Sequence, residues 1–335
     1  MPTPKELYTQ QLNTIADNYG RMEDDTVRAL FKELDTLRKQ VNAQVSDIDS
    51  PSNARQRQAA IERMISDFEA KYSAQLNAAS GAAFDDGAAS VSEPLATIDI
   101  RGPAFIPSLA QVNAVQNVNA ALIKGITEEL RKTVNLNISQ IVLQQKTPFQ
   151  AMQDLTTAFG RGNVDRQGRF VASGVTAKAE RDIRTELQRV FNLSEHSQQL
   201  KTAETTPDLL KRWIATADNR TRPGHLDAHN RYRQNPIPIK EKFMVYDIDK
   251  KGRRKGSALL MYPTDPSAPP QYVINCRCKM STIHPLVGVI GSSLDGRIAS
   301  QLKRASASQR ALTLREKVRY VHTREMYNLY WRLGR

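Results

Sequence analysis

The sequence predicts an α+β protein that is mainly α-helical. Three observations carry that reading. Apolar residues recur at three- and four-residue intervals through much of the first two hundred positions. Strand-like runs are confined to the stretch after Leu210. Both cysteines of the chain and three of its five histidines fall between Trp213 and His284. The expected layout is an N-terminal helical hairpin or coiled-coil arm (1–78), a linker (79–113) and a central helical region (114–200). A small β-containing Cys/His module (201–285) and a basic helical tail (286–335) complete it.

Composition narrows the function classes. The chain has 335 residues, 40% of them apolar, enough for a core and for more than one compact unit. Its net charge is +13. The surplus is uneven: the last fifty residues carry ten Lys/Arg against three Asp/Glu. Such asymmetry suits a polyanionic neighbour, most simply nucleic acid, or a solvated helix face. Two cysteines one residue apart provide no disulfide framework. The N-terminal residues contain no apolar signal-like core, and no run approaches the ~20 apolar residues that span a bilayer. A cytoplasmic assembly site and no membrane partner are expected.

The elements follow in order. Val27, Leu30, Leu34, Leu37, Val41 and Ile48 alternate three- and four-residue steps, with Gln44 out of pattern. That is the seam of a helical hairpin or coiled coil. Ser50-Pro51 breaks the helix and starts the next, since Ser caps free N–H groups and Pro suits a first helical turn. Ile61, Met64, Ile65, Phe68, Tyr72 and Leu76 share the second helix's face. The hairpin reads either as an arm for a ring-shaped partner or as an αα-hairpin packed on its own domain. Residues 79–113, with their glycines and Pro94, Pro103 and Pro107, read as a linker or strap.

A third helix aligns Val115, Val118, Leu122, Ile126, Leu130 and Val134. The fourth has the clearest start: Thr147 as N-cap, Pro148 at the first position and Gln150 closing a capping box. Ala151, Met152, Leu155 and Phe159 form its buried side, and Gly160 stops it. Residues 160–174 read as a polar, basic loop. Thr176–Asn192 is helical with Ala179, Ile183, Leu187 and Val190 inward, leaving Arg184-Thr185-Glu186 as an exposed salt-bridged patch.

The chemistry lies further on. A short strand ends near Asp218, whose side chain suits the following Asn-Arg-Thr-Arg-Pro-Gly turn. His225 and His229 stand four apart, on one face of a helix. Residues 243–262 form a β-hairpin whose tip, Lys250–Gly256, holds Lys250, Lys251, Arg253, Arg254 and Lys255. These five suit either phosphates or a solvated turn. Tyr272–Ile283 reads as a strand, and period two puts Cys276 and Cys278 on one face with Arg277 and Lys279 on the other. Two thiols and two imidazoles make a possible tetrahedral zinc site of His225, His229, Cys276 and Cys278, with His284 in reserve. The other reading is a metal-free core in which the thiols pack as small hydrophobes. Either role is structural. In the tail, Arg297, Lys303, Arg304 and Arg310 extend the candidate nucleic-acid contacts.

Asp218-Asn-Arg-Thr-Arg222, His225, the Tyr262-Pro-Thr-Asp-Pro266 loop and Asn275-Cys-Arg-Cys278 occur in an order that resembles the phage Mu F-like minor head proteins. Ala179–Glu186 is similar to the helix preceding that module. The resemblance covers roughly residues 115–285. It implies a minor capsid protein of a tailed phage, bound to the portal protein at the portal vertex inside the capsid. Implied partners are the portal, the major capsid protein and double-stranded DNA during packaging and ejection. Cysteine-rich relatives look like zinc binders, whereas here Arg222 and Val273 occupy positions where those relatives place ligands. No P-loop, dinucleotide or nucleophile-elbow motif appears, and no catalytic residue is expected. The rival class is a phage-encoded metal-dependent nuclease or modifying toxin.

Overall fold

The computed structural model describes residues 4–166, 170–215, 221–249, 251–274 and 276–284. It is mainly helical with small antiparallel sheets. The described elements run α1 (Pro4–Ser46), α2 (Pro51–Ala96), α3 (Leu109–Val142), α4 (Pro148–Phe159), β1 (Gly162–Val164) and β2 (Phe170–Ala172). They continue α5 (Gly174–Ala203), β3 (Leu210–Ile214), α6 (Pro223–Gln234), β4 (Ile237–Pro238), β5 (Phe243–Ile248), β6 (Arg254–Leu260), α7 (Pro270–Val273) and β7 (Lys279–Ile283). They divide into two compact units. Of the described residues, one comprises 23–79 and 109–184, the other 4–22, 80–108 and those from 185 to 284.

In the first unit the expected hairpin seam is buried. Val27, Leu30, Leu34, Leu37 and Val41 are all enclosed, and Val45 takes the place that Gln44 leaves empty. Ser50 caps α2 through its side-chain oxygen, which accepts the Asn53 N–H. From α2, Ile61, Ile65, Phe68, Tyr72 and Leu76 face the same interior. Helix α3 buries Val115, Ile126, Leu130 and Val134 as expected and departs in phase between them, at Val118 and Leu122. Its buried residues include Val115, Asn119, Ile123, Ile126, Leu130 and Val134, while Val118 is 37% exposed. The step of four from 115 to 119 and 123 brings Asn119 inward, where its amide donates to Asn77. That bond makes a buried polar group tolerable where an apolar pattern would not choose it.

Helix α4 starts with both halves of the expected capping box, and Gly160 ends it at φ +72°. The region 160–174 contains the β1–β2 hairpin rather than only loop, registered Asn163 opposite Val171. Three-residue strands leave little periodic signal. Arg184 is salt-bridged as expected, but it is not exposed. It is largely buried, paired with Glu23, Asp24 and Glu180, and its guanidinium lies 4.3 Å from the Phe170 ring centroid. Three carboxylates and an aromatic face offset the loss of water that a lone arginine would suffer.

In the second unit the expected linker is partly helix. Helix α2 continues to Ala96, with Ala83, Phe84, Val91 and Leu95 buried. Alanine is the strongest helix former, and it outweighs the scattered glycines. Gly87 has a separate use: a Cβ there would stand 2.4 Å from the Phe191 carbonyl oxygen of α5. Beyond the helix, Gln198 holds the strap by accepting the Phe105 N–H and donating to the Pro103 carbonyl. A three-stranded antiparallel sheet, ordered β4-β3-β7, and the β5–β6 hairpin lie further along. Their shared core gathers Trp213, Ala228, Tyr232, Phe243, Val245, Leu260, Cys276, Cys278 and Met280.

Candidate metal centre

The site is assembled from α6 and the segment leading into β7. Pro223 sits in the first turn of α6, suited to a position where no N–H is required. The next residue must be small, because a Cβ on Gly224 would fall 1.7 Å from the Tyr246 carbonyl oxygen. The start of α6 is thereby seated closely on β5, next to His225. The His225 ring packs edge-on to Trp213, centroids 5.4 Å apart.

Residues 270–283 do not form one continuous strand. Pro270–Val273 is a short helix, 276–278 are irregular, and only Lys279–Ile283 pairs with β3. Pro269 and Pro270 favour the turn over extension. The two thiols nevertheless converge. His225 Nδ1 lies 3.4 Å from Cys278 Sγ and 3.5 Å from Cys276 Sγ, and the Cys278 N–H points at Cys276 Sγ. The three ligand atoms all lie within 4.8 Å of one another, each side chain 2–3% exposed.

Electrostatics favour shared protonation. Burial opposes ionisation of both thiols. Contact with Cys278 and with the His225 ring nevertheless holds Cys276 well below the usual thiol range, while burial and Cys276 push Cys278 up. The pair thus gives up one proton readily and keeps the second. A bound cation would favour loss of both.

These donors fit a metal of borderline softness. Tetrahedral zinc at ordinary Zn–S and Zn–N lengths puts neighbouring S and N atoms about 3.6 Å apart, close to the two distances above. His229 is not brought into the group. One turn further along α6, its Nδ1 lies 3.1 Å from the Trp213 carbonyl oxygen. His284 Nε2 lies 3.2 Å from Asp208 Oδ2. So His225, Cys276 and Cys278 can hold a metal ion, and the expected fourth ligand is directed elsewhere.

Lys279 also departs from the expected outward face. It is buried, its Nζ 3.8 Å from the Tyr19 ring centroid and 4.4 Å from that of Phe191. Aromatic faces give the ammonium a favourable surface that strand alternation alone does not reveal. Two further buried residues carried no motif: Asn192, which bonds to the cysteine segment, and Glu195, one turn further along α5. Among the basic candidates, Lys251 and Lys255 are exposed. Arg253 pairs with Asp249, and Arg254 lies over Tyr246 with its centroid 3.9 Å away. Lys250, Arg297, Lys303, Arg304 and Arg310 lie outside the described residues.

Residues 116–281 match the family model described as Phage Mu protein F like protein. That span, just under half of the chain, is phage Mu F-like in sequence. The matched span contains the whole His225–Cys276–Cys278 cluster, as well as α4 and α5. No curated protein gives a match, nor does any solved structure. The Mu F-like span begins inside α3, so α1 and α2 lie outside it.

Proposed function

We propose that this chain is a minor head protein of a tailed phage, acting in head morphogenesis from the capsid interior at the portal vertex. The family match over residues 116–281 is the observation that carries this reading. In it the Mu F-like segment is a part to be placed rather than a catalyst. A zinc ion held by His225, Cys276 and Cys278 would tie the start of α6 to the segment before β7. Among the described residues, no helix is long and apolar enough to cross a membrane.

Mass spectrometry of purified virions, with a pull-down using the cognate portal protein, tests the assignment. The chain is expected in finished particles and in the portal fraction. Absence from particles would point to a scaffold shed before maturation. Cleavage of plasmid DNA that needs a divalent metal and His225 would replace the structural reading with the nuclease one. Metal analysis of the purified protein tests the zinc assignment separately.

A further inference from the structure

Among the described residues, strand β7 is the outer strand of the three-stranded sheet, paired with β3 along one edge. Its other edge is served by side chains. Asn192 Nδ2 donates to the Cys278 carbonyl at 3.0 Å, and Gln199 Nε2 donates to Thr282 Oγ1 at 3.0 Å. Between them Glu195 lies beside the Met280 N–H, which favours its charged form. From the N-terminal helix, the Tyr8 hydroxyl donates to the Thr282 carbonyl at 2.9 Å.

The spacing is systematic. Residues 192, 195 and 199 share one face of α5 and cover about 10 Å of helix. Met280 and Thr282 stand two apart in β7, and Cys278 is the residue immediately before the strand. Asn192 and Glu195 of α5, with Tyr8 of α1, therefore serve backbone groups that a neighbouring strand would otherwise pair, and Gln199 adds a bond to the Thr282 hydroxyl. Asn192 does more than hold β7. The same amide nitrogen lies 2.9 Å from the Pro263 carbonyl oxygen and 3.2 Å from Thr264 Oγ1, so its two N–H groups are shared among three acceptors. One fully buried side chain thus ties Tyr262–Pro266 to the backbone of Cys278.

From this geometry we infer that Asn192 is the positioning residue of the Cys/His centre. It fixes the Cys278 backbone so that its sulfur stands beside Cys276 and His225. The inference rests on the metal reading proposed above, but it makes a claim about the thiols even without metal. Asn192→Asp keeps the shape and removes the donor, setting a carboxylate against two carbonyl oxygens. Gln199→Leu breaks the bond at the far end of β7 and serves as the control.

The test uses the full chain. Zinc affinity is measured by competition with a chromophoric chelator, and thiol accessibility by labelling the metal-free protein. Asn192→Asp is expected to weaken zinc binding about 10- to 100-fold, the usual cost of losing a supporting hydrogen bond. It is also expected to speed thiol labelling. Gln199→Leu should change neither by more than about threefold. Asn192→Ser, which retains one donor, should fall between and covers the case in which the aspartate does not fold. Thiols as protected in both Asn192 variants as in the parent would overturn the inference, as would equal losses in the Asn192 and Gln199 variants. If the parent binds no zinc, the metal reading fails, and the labelling arm still decides the role of Asn192.

Discussion

Glu195 shows how much a single buried group can set. Burial pushes its carboxyl up to about 8, against the pull of Lys279, the Met280 N–H and Lys211. In the unfolded chain the same carboxyl ionises in the ordinary carboxylate range. Between that range and about 8 the folded state keeps a proton that the unfolded state has released. The contribution of Glu195 to stability is therefore full in acid and declines as pH rises toward the folded value. Glu195→Gln has no proton to keep. Urea unfolding at a series of pH values should show a steeper fall for the parent than for the variant between mildly acidic and mildly basic buffer. Parallel curves would mean that the carboxyl is not held neutral. Neighbouring groups titrate too, Asp86 raised to about 6 and Lys211 lowered to about 7, so the difference between the two proteins isolates Glu195.

At the scale of elements, local chemistry predicts most where it is self-contained. The α4 capping box needs only residues 147–150 and was legible for that reason. Removing it by Thr147→Ala should cost about 1 kcal/mol in thermal or chemical unfolding. A loss near zero would mean that the tertiary setting holds α4 alone. The seam of α1 was equally plain, because its apolar residues keep one period over several turns. Failures came where a distant partner decides. Gly87 looked like a breaker because nothing nearby in sequence shows that α5 will pass 2.4 Å from a Cβ placed there. Asn119 falls outside the apolar period of α3 and is buried because Asn77 accepts its amide. The cysteine pair was legible as chemistry and misread as geometry: both thiols meet His225, but from an irregular turn rather than a strand face. His229 has the right spacing and the wrong direction, its ring engaged by the Trp213 carbonyl. The close approach of α2 and α5 has a direct check. Gly87→Val forces the two backbones apart and should destabilise by about 1–3 kcal/mol or more, while the same change at Gly81, which meets nothing within 4 Å, should cost far less.

At the scale of the whole molecule, a net charge of +13 asks where the balancing negative charge is found. Within the described part, much of the basic chemistry is already engaged. Arg131 pairs with Glu62 and Glu69, Arg184 with three carboxylates, and Arg253 with Asp249. An arginine so held offers little to an incoming phosphate, since binding it would first break an existing pair. Lys251 and Lys255, exposed around the β5–β6 turn, are better placed. If the proposed head protein meets packaged DNA through this hairpin, its affinity for double-stranded DNA should fall steeply with salt. Each phosphate contact contributes about 0.9 to the slope of log affinity against log salt concentration. Replacing Lys251 and Lys255 together by alanine should lower that slope by nearly 2 and weaken binding alike for unrelated DNA sequences. Replacing Arg131, an arginine already paired, should leave the slope unchanged. A slope that ignores the two lysines would move the DNA contact away from this hairpin, and binding insensitive to salt would remove DNA from the list of partners.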